Sequence, residues 1–331
     1  MKAARGAHAR GRLRDAVKRP ENLGFRLGTG LFGLILVVIV VAIGGELLRQ
    51  SSLSIQKFGL AFWRTQTWDP VAGDFGALPF IWGTLYSSIL ALLISTPISL
   101  GIAVFISELC PNRLKALLVF LTELLAAIPS IVYGVWGIFV LVPAVRAVEV
   151  AFPPTLKALP FFSGPPFGLG MLAAALILAV MVIPFSSSVA REVLKSVPVA
   201  QREGAYALGA TRLEAISAAL YYARTGIVGA VMLGFGRALG ETMAVTMVIG
   251  NTPKVSLSLF APQHTMAAVL ANEFSEAADN LYLSALIEIG LVLFTITLII
   301  NLLSRLLIWS MARTKKAPVA VVTPAAEVSP A

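Results

Sequence analysis

Six apolar runs, at about residues 28–48, 79–107, 115–142, 168–190, 225–250 and 283–309, dominate this chain and carry Leu, Ile, Val and Ala through some 20 or more positions each. As a helix rising about 1.5 Å per residue, each is long enough to cross the roughly 30 Å hydrocarbon core of a bilayer. Lipid offers no partner to a backbone N–H or C=O, so spanning segments are helices or closed barrels. The runs lack the alternation, about ten residues per segment, that marks barrel strands. They predict an all-α polytopic membrane bundle of six transmembrane helices. Composition agrees: 57% of the 331 residues are hydrophobic and 13% charged, against about a quarter charged in soluble domains.

The distribution of cations sets the expected orientation. With the amino terminus inside, 19 of the 26 Lys and Arg residues fall on the cytoplasmic side, in the arm 1–27, at Arg113 and Lys115, in the loop 191–224 and after residue 304. Six lie opposite (Arg49, Lys57, Arg64, Arg146, Lys157, Lys254), and Arg237 lies within a run. Positive loops are retained in the cytoplasm, so both termini are expected there. The net charge of +9 is concentrated beside the runs, where it matches anionic lipid rather than nucleic acid. No A-x-A site follows Leu31–Val41, so the first run reads as an uncleaved span.

Between the runs, the outer loop 143–167 holds Pro143, Pro153, Pro154, Pro160, Pro165 and Pro166, which reads as an ordered but irregular cap. The outer segment 251–282 offers a short helix at Met266–Phe274 with acidic residues at and after its end, Glu273, Glu276 and Asp279; two readings are open, a dock for a soluble partner and a re-entrant cap. The tail 313–331 has too little to pack and reads as disordered. In the loop 191–224, Ala200–Ala218 reads as an amphipathic helix interrupted at Gly209. Taken alone, that pattern fits equally a knob for another protein's groove and an ordinary surface helix.

Several chemistries lack their residues. There is no Gly-Lys dipeptide and hence no P-loop, and neither G-x-S-x-G nor H-E-x-x-H occurs. The two histidines, His8 and His264, and the single cysteine, Cys110, leave no expected metal site, redox pair or intrachain disulfide. Transport energised by another chain becomes the leading class.

Charges inside the runs are the candidate sites. An arginine at the centre of a span costs about 2.5–3.5 kcal/mol on insertion scales. Arg237 and Glu241 stand four residues apart in Ile227–Gly250, which on one continuous helix places them on one face. They either neutralise each other in a structural pair or serve an anion that crosses beside them. Glu123 precedes Pro129, a helix-opening residue, and with Ser130 and Tyr133 reads either as a gate or as packing around a kink. Glu288 reads as a structural partner to a neighbouring helix.

Two longer motifs carry a resemblance. Arg202-Glu203-Gly204-Ala205-Tyr206-Ala207-Leu208-Gly209 resembles the E-A-A-x-x-x-G coupling loop of ABC importer permeases. Gly234-Phe235-Gly236-Arg237-Ala238-Leu239-Gly240-Glu241-Thr242-Met243-Ala244-Val245-Thr246 is similar to the PstC family of phosphate-specific importers, as are Glu123–Gly134 and Ala271–Phe274. The family's closing Ile-x-Leu-Pro is replaced by Ala219-Leu220-Tyr221-Tyr222. The resemblance implies a type I importer permease fold over roughly residues 25–312. It implies Glu203, Gly204, Ala205 and Gly209 as the ATPase-coupling residues, and a substrate path that includes Arg237, Glu241 and Thr242. The implied partners are a PstA-like permease, two PstB-like ATPases that hold ATP and Mg, and an external PstS-like phosphate-binding protein. This chain itself would bind no cofactor and catalyse no reaction. Sulfate or molybdate as the cargo, or a passive anion channel or structural membrane protein, are the alternatives.

Overall fold

The computed structural model describes residues 21–313. The expectations for most of the basic arm 1–27 and for nearly all of the tail 313–331 lie outside the described residues. The chain runs α1 (Glu21–Gln50), α2 (Ser52–Phe58), a 3-10 turn (Gly59–Trp63), α3 (Leu78–Val104), a π-helical turn (Phe105–Leu109) and α4 (Asn112–Ala127). It continues with α5 (Ser130–Trp136), a second π-helical turn (Gly137–Leu141), α6 (Val142–Ala151), α7 (Pro154–Lys157), α8 (Met171–Lys195) and α9 (Val199–Ala207). The last elements are α10 (Arg212–Leu239), α11 (Met243–Val248), α12 (Met266–Glu273) and α13 (Asn280–Arg313). No strand occurs among the described residues.

Six helical stretches are long and apolar enough to cross a membrane: Leu27–Gln50, Leu78–Leu109, Ser130–Ala151, Met171–Lys195, Arg212–Leu239 and Asn280–Met311. The third corrects the sequence reading. The apolar run 115–142 is two helices, α4 and α5, separated at Ile128–Pro129. Proline disfavours the α conformation in the residue before it, and Ile128 is extended at φ −64°, ψ 128°. The spanning stretch therefore begins at Ser130 and continues through Val142–Ala151, into the loop expected to be irregular. Pro143 lies just after the π-helical turn, inside this continuous stretch, and so leaves one carbonyl of the preceding turn without a helical N–H.

α8 is the axis of the bundle. It packs against α3, α10, α4 and α11, and Ala173, Ala174, Ala175, Ala179, Ser186, Ser187 and Ala190 are all buried along it. Lipid tails are as apolar as leucine, so helices in a membrane associate by close van der Waals packing rather than by leaving water, and small residues permit it. At the α8–α10 contact a Cβ on Gly234 would stand 2.3 Å from Ser186 Oγ, so only glycine fits there. α13 lies against α10, and α1 lies against α13 at the rim. A second core of Phe62, Phe75, Phe80, Met266, Leu286 and Ile289 closes the end formed by α2, α12 and the start of α13.

Candidate functional site

The fifth apolar run is also broken, and the break lies at the candidate residues. α10 stops at Leu239, Gly240 caps it, and Met243 begins α11. Arg237 and Glu241 are therefore not on one helical face, and no ion pair joins them among the described residues. Each charge meets a helix end instead. Arg237 occupies the last turn of α10, where the partial negative charge of free carbonyls favours a cation. Glu241 Oε1 accepts the Ala244 N–H at 3.4 Å, at the start of α11, where free N–H groups favour an anion. Thr242, the next residue, caps α11, its carbonyl accepting both the N–H (3.0 Å) and the hydroxyl (2.7 Å) of Thr246.

Arg237 is exposed on the protomer, and its guanidinium carbon lies 5.8 Å from the Phe185 ring centre on α8. With no carboxylate on it, the planar fork of donors is available to an anion. α5 backs this break. A Cβ on Gly134 would fall 2.5 Å from Met247 Sδ and 3.1 Å from Ala244 Cα, so α5 lies directly against α11.

The group of Glu123, Ser130 and Tyr133 separates. Ser130 is half-buried at the start of α5, and Tyr133 is buried with its hydroxyl donating to the Leu125 carbonyl at 2.8 Å. Glu123 lies on α4, outside the six spanning stretches. Its carboxylate is 57% exposed and meets Arg191 Nη2 at 3.2 Å. Arg191, only 6% exposed, also contacts Glu192 at 3.0 Å. No hydrogen bond joins Glu123 to Ser130 or Tyr133; the carboxylate turns to Arg191 and the tyrosine hydroxyl to the Leu125 carbonyl.

The loop 191–224 supplies a second candidate surface. The helix anticipated at Ala200–Ala218 is α9, ending at Ala207, followed by the start of α10. Gly209 adopts φ +83°, a left-handed conformation that glycine takes at no steric cost. Thr211 and Glu214 then form a reciprocal capping box that starts α10, and residues 219–222 continue that helix without interruption. Helix and hinge thus separate without the family's proline. Glu203, Gly204, Tyr206, Leu208 and Gly209 are exposed and Ala205 half-buried, with Leu208 90% exposed.

Sequence reading missed Arg191, Arg202 and Glu108, because counting them as loop or edge charges ignores where packing carries them. A signal for Arg191 did exist: it extends an apolar helix by one turn at a position facing the core. A cavity of 530 Å³, lined by Val142, Pro143, Arg146, Ala147, Val150, Ala151 and Phe167, holds none of the anticipated residues. Among the described residues no cluster of His, Cys, Asp and Glu is suited to a metal.

Residues 98–313 match the model of the binding-protein-dependent transport system inner membrane components. The chain belongs to that family. This transport component is 48% identical to the phosphate transport system permease protein PstC of Haemophilus influenzae, over 88% of this chain and 94% of that protein. It is 44% identical to the protein of the same name from Mesorhizobium japonicum, over 84% and 88% respectively. Its fold is similar to a chain of the MetNI methionine ABC transporter in an inward-facing conformation, with a TM-score of 0.54 at 17% identity, covering 70% of this transport component and 94% of that chain. The fold is that of an ABC importer permease, in a multi-pass membrane protein.

Proposed function

We propose that this chain is the permease subunit of an ATP-driven importer that carries inorganic phosphate across the inner membrane. The observation that carries the reading is its 48% identity, across nearly the whole of both chains, with a phosphate permease. The geometry at Arg237 supports it: a guanidinium exposed on one face of the protomer, free of carboxylates and held at a helix end, matches the two-point contact that a tetrahedral oxyanion offers. Glu241, held at the neighbouring helix end, limits how tightly an anion sits and so favours release. Both termini lie in the cytoplasm on this reading, as does the α9 surface. The PstA-like permease completes the path, two PstB-like ATPases dock on α9 through Glu203, Gly204, Ala205 and Gly209 and bind ATP with Mg, and a PstS-like protein delivers phosphate from outside. This chain needs no cofactor of its own.

Proteoliposomes containing the permease pair, the ATPases and the phosphate-binding protein test the reading. Labelled phosphate should accumulate only with ATP and binding protein both present, and excess unlabelled sulfate or molybdate should not compete. Uptake without ATP would replace the importer with a passive channel. Competition by sulfate or molybdate would change the cargo.

A further inference from the structure

Arg202 immediately precedes the exposed Glu203 in the middle of α9, yet it points the other way. Its Nη2 lies 2.6 Å from Glu108 Oε1 and its Nε 3.3 Å from Glu108 Oε2. The same guanidinium donates to the carbonyls of Leu194 (3.0 Å) and Val197 (3.1 Å) at the end of α8. The side chains are 21% and 14% exposed, so solvent screens the pair far less than a surface contact. Glu108 lies in the π-helical turn Phe105–Leu109 that ends α3, a kind of distortion frequent at functional sites. Arg212, from the first turn of α10, donates to the Glu108 carbonyl at 2.6 Å. One carboxylate residue thus gathers α3, α9 and α10.

Beyond α10, which follows it in the chain and packs on it, α9 has no other helix firmly against it. None of its residues is buried, and Gly209 makes its link to α10 a hinge. A push on the outer face of α9 therefore reaches the bundle most stiffly through Arg202. We propose that the Arg202–Glu108 pair is the link that passes displacement of α9 to α3, and through the α3–α8 and α3–α10 contacts to the break at Arg237. The proposal rests on the importer reading, and both residues are positioning residues that touch neither ATP nor cargo.

Proteoliposomes with the full importer decide it, with labelled phosphate uptake and ATP hydrolysis measured in the same sample. Glu108→Gln and Arg202→Gln should each lower phosphate moved per ATP by about tenfold, the scale of one charged hydrogen-bonded contact, with the ATPase still co-purifying. The double variant should be no worse than either single one, because the two residues act as a unit. Phosphate per ATP within twofold of the unaltered importer in both single variants overturns the proposal. So does uptake that falls in step with hydrolysis, or loss of the ATPase from both, since either makes the pair a structural anchor. Glu108→Gln keeps shape and an acceptor oxygen and decides alone if Arg202→Gln fails to assemble. Absence of ATP-dependent uptake by the unaltered importer would instead remove the importer reading.

Discussion

The Tyr133 hydroxyl donates to the Leu125 carbonyl at 2.8 Å, across the helix break at Pro129. In an unbroken helix Leu125 would receive the N–H of residue 129, which proline lacks. The tyrosine therefore replaces a backbone bond and holds α4 against α5. Tyr133→Phe should lower stability by about 0.5–1.5 kcal/mol, the net worth of one hydrogen bond, since the Leu125 carbonyl keeps the Ile128 N–H at 3.4 Å. Detergent-solubilised protein would then unfold at a lower temperature, while Tyr86→Phe, whose hydroxyl is exposed, should have less effect.

At Arg237 the separation from Glu241 makes a sharp expectation. Were the two a neutral pair, Arg237→Gln with Glu241→Gln would restore uptake lost in either single variant. Because each is held at a different helix end, the double variant should stay as inactive as Arg237→Gln. Arg237→Lys should also transport poorly, since an ammonium loses the planar fork. Phosphate uptake by proteoliposomes, with co-purification of the ATPase as the control for assembly, checks both.

Glu123 and Arg191 should respond unequally. Glu123 is more than half exposed, and Arg191 keeps Glu192 at 3.0 Å, so Glu123→Gln should cost under about 1 kcal/mol. Arg191→Ala removes the buried partner and strands its packing, and should cost about 2–3 kcal/mol. Thermal unfolding of the two variants side by side measures the difference.

Gly209 takes φ +83° with open space where a Cβ would stand, so the penalty for a substitution is conformational rather than a clash. Gly209→Val should cost about 1–2 kcal/mol and misdirect α9, and Gly209→Asn should be milder, since asparagine visits the left-handed region. The readout is phosphate moved per ATP hydrolysed, which should fall in the order Gly, Asn, Val.

His264 is buried beside the Phe80 ring, centroids 5.3 Å apart, and burial pushes its pKa down to about 4. The unfolded chain takes up a proton near pH 6.5 that the folded imidazole refuses until about pH 4. Its stabilising contribution is thus complete above pH 6.5 and is lost as pH falls toward 4, by as much as about 3 kcal/mol. Melting temperature against pH should fall more steeply across that window for the unaltered protein than for His264→Asn.

The amino-acid sequence by itself determined the helical class and the number of crossing stretches, because the apolar length needed to span lipid is a local property of the chain. It also marked Gly209 as a bend and Pro129 as a helix-opening residue, since glycine and proline act on their own backbone. Reading Ile227–Gly250 as one helix failed at Gly240, where no proline signals a break and the caps at Gly240 and Glu241 form only once α11 packs on α5. Tertiary structure alone decided that Glu123 pairs with Arg191, and that Glu108 meets Arg202 across 94 residues of chain. Such partners are chosen by which helix faces pack together. A charge has no preferred partner along the sequence, and in an apolar bundle it goes to whichever opposite charge, helix end or carbonyl the packing brings within reach.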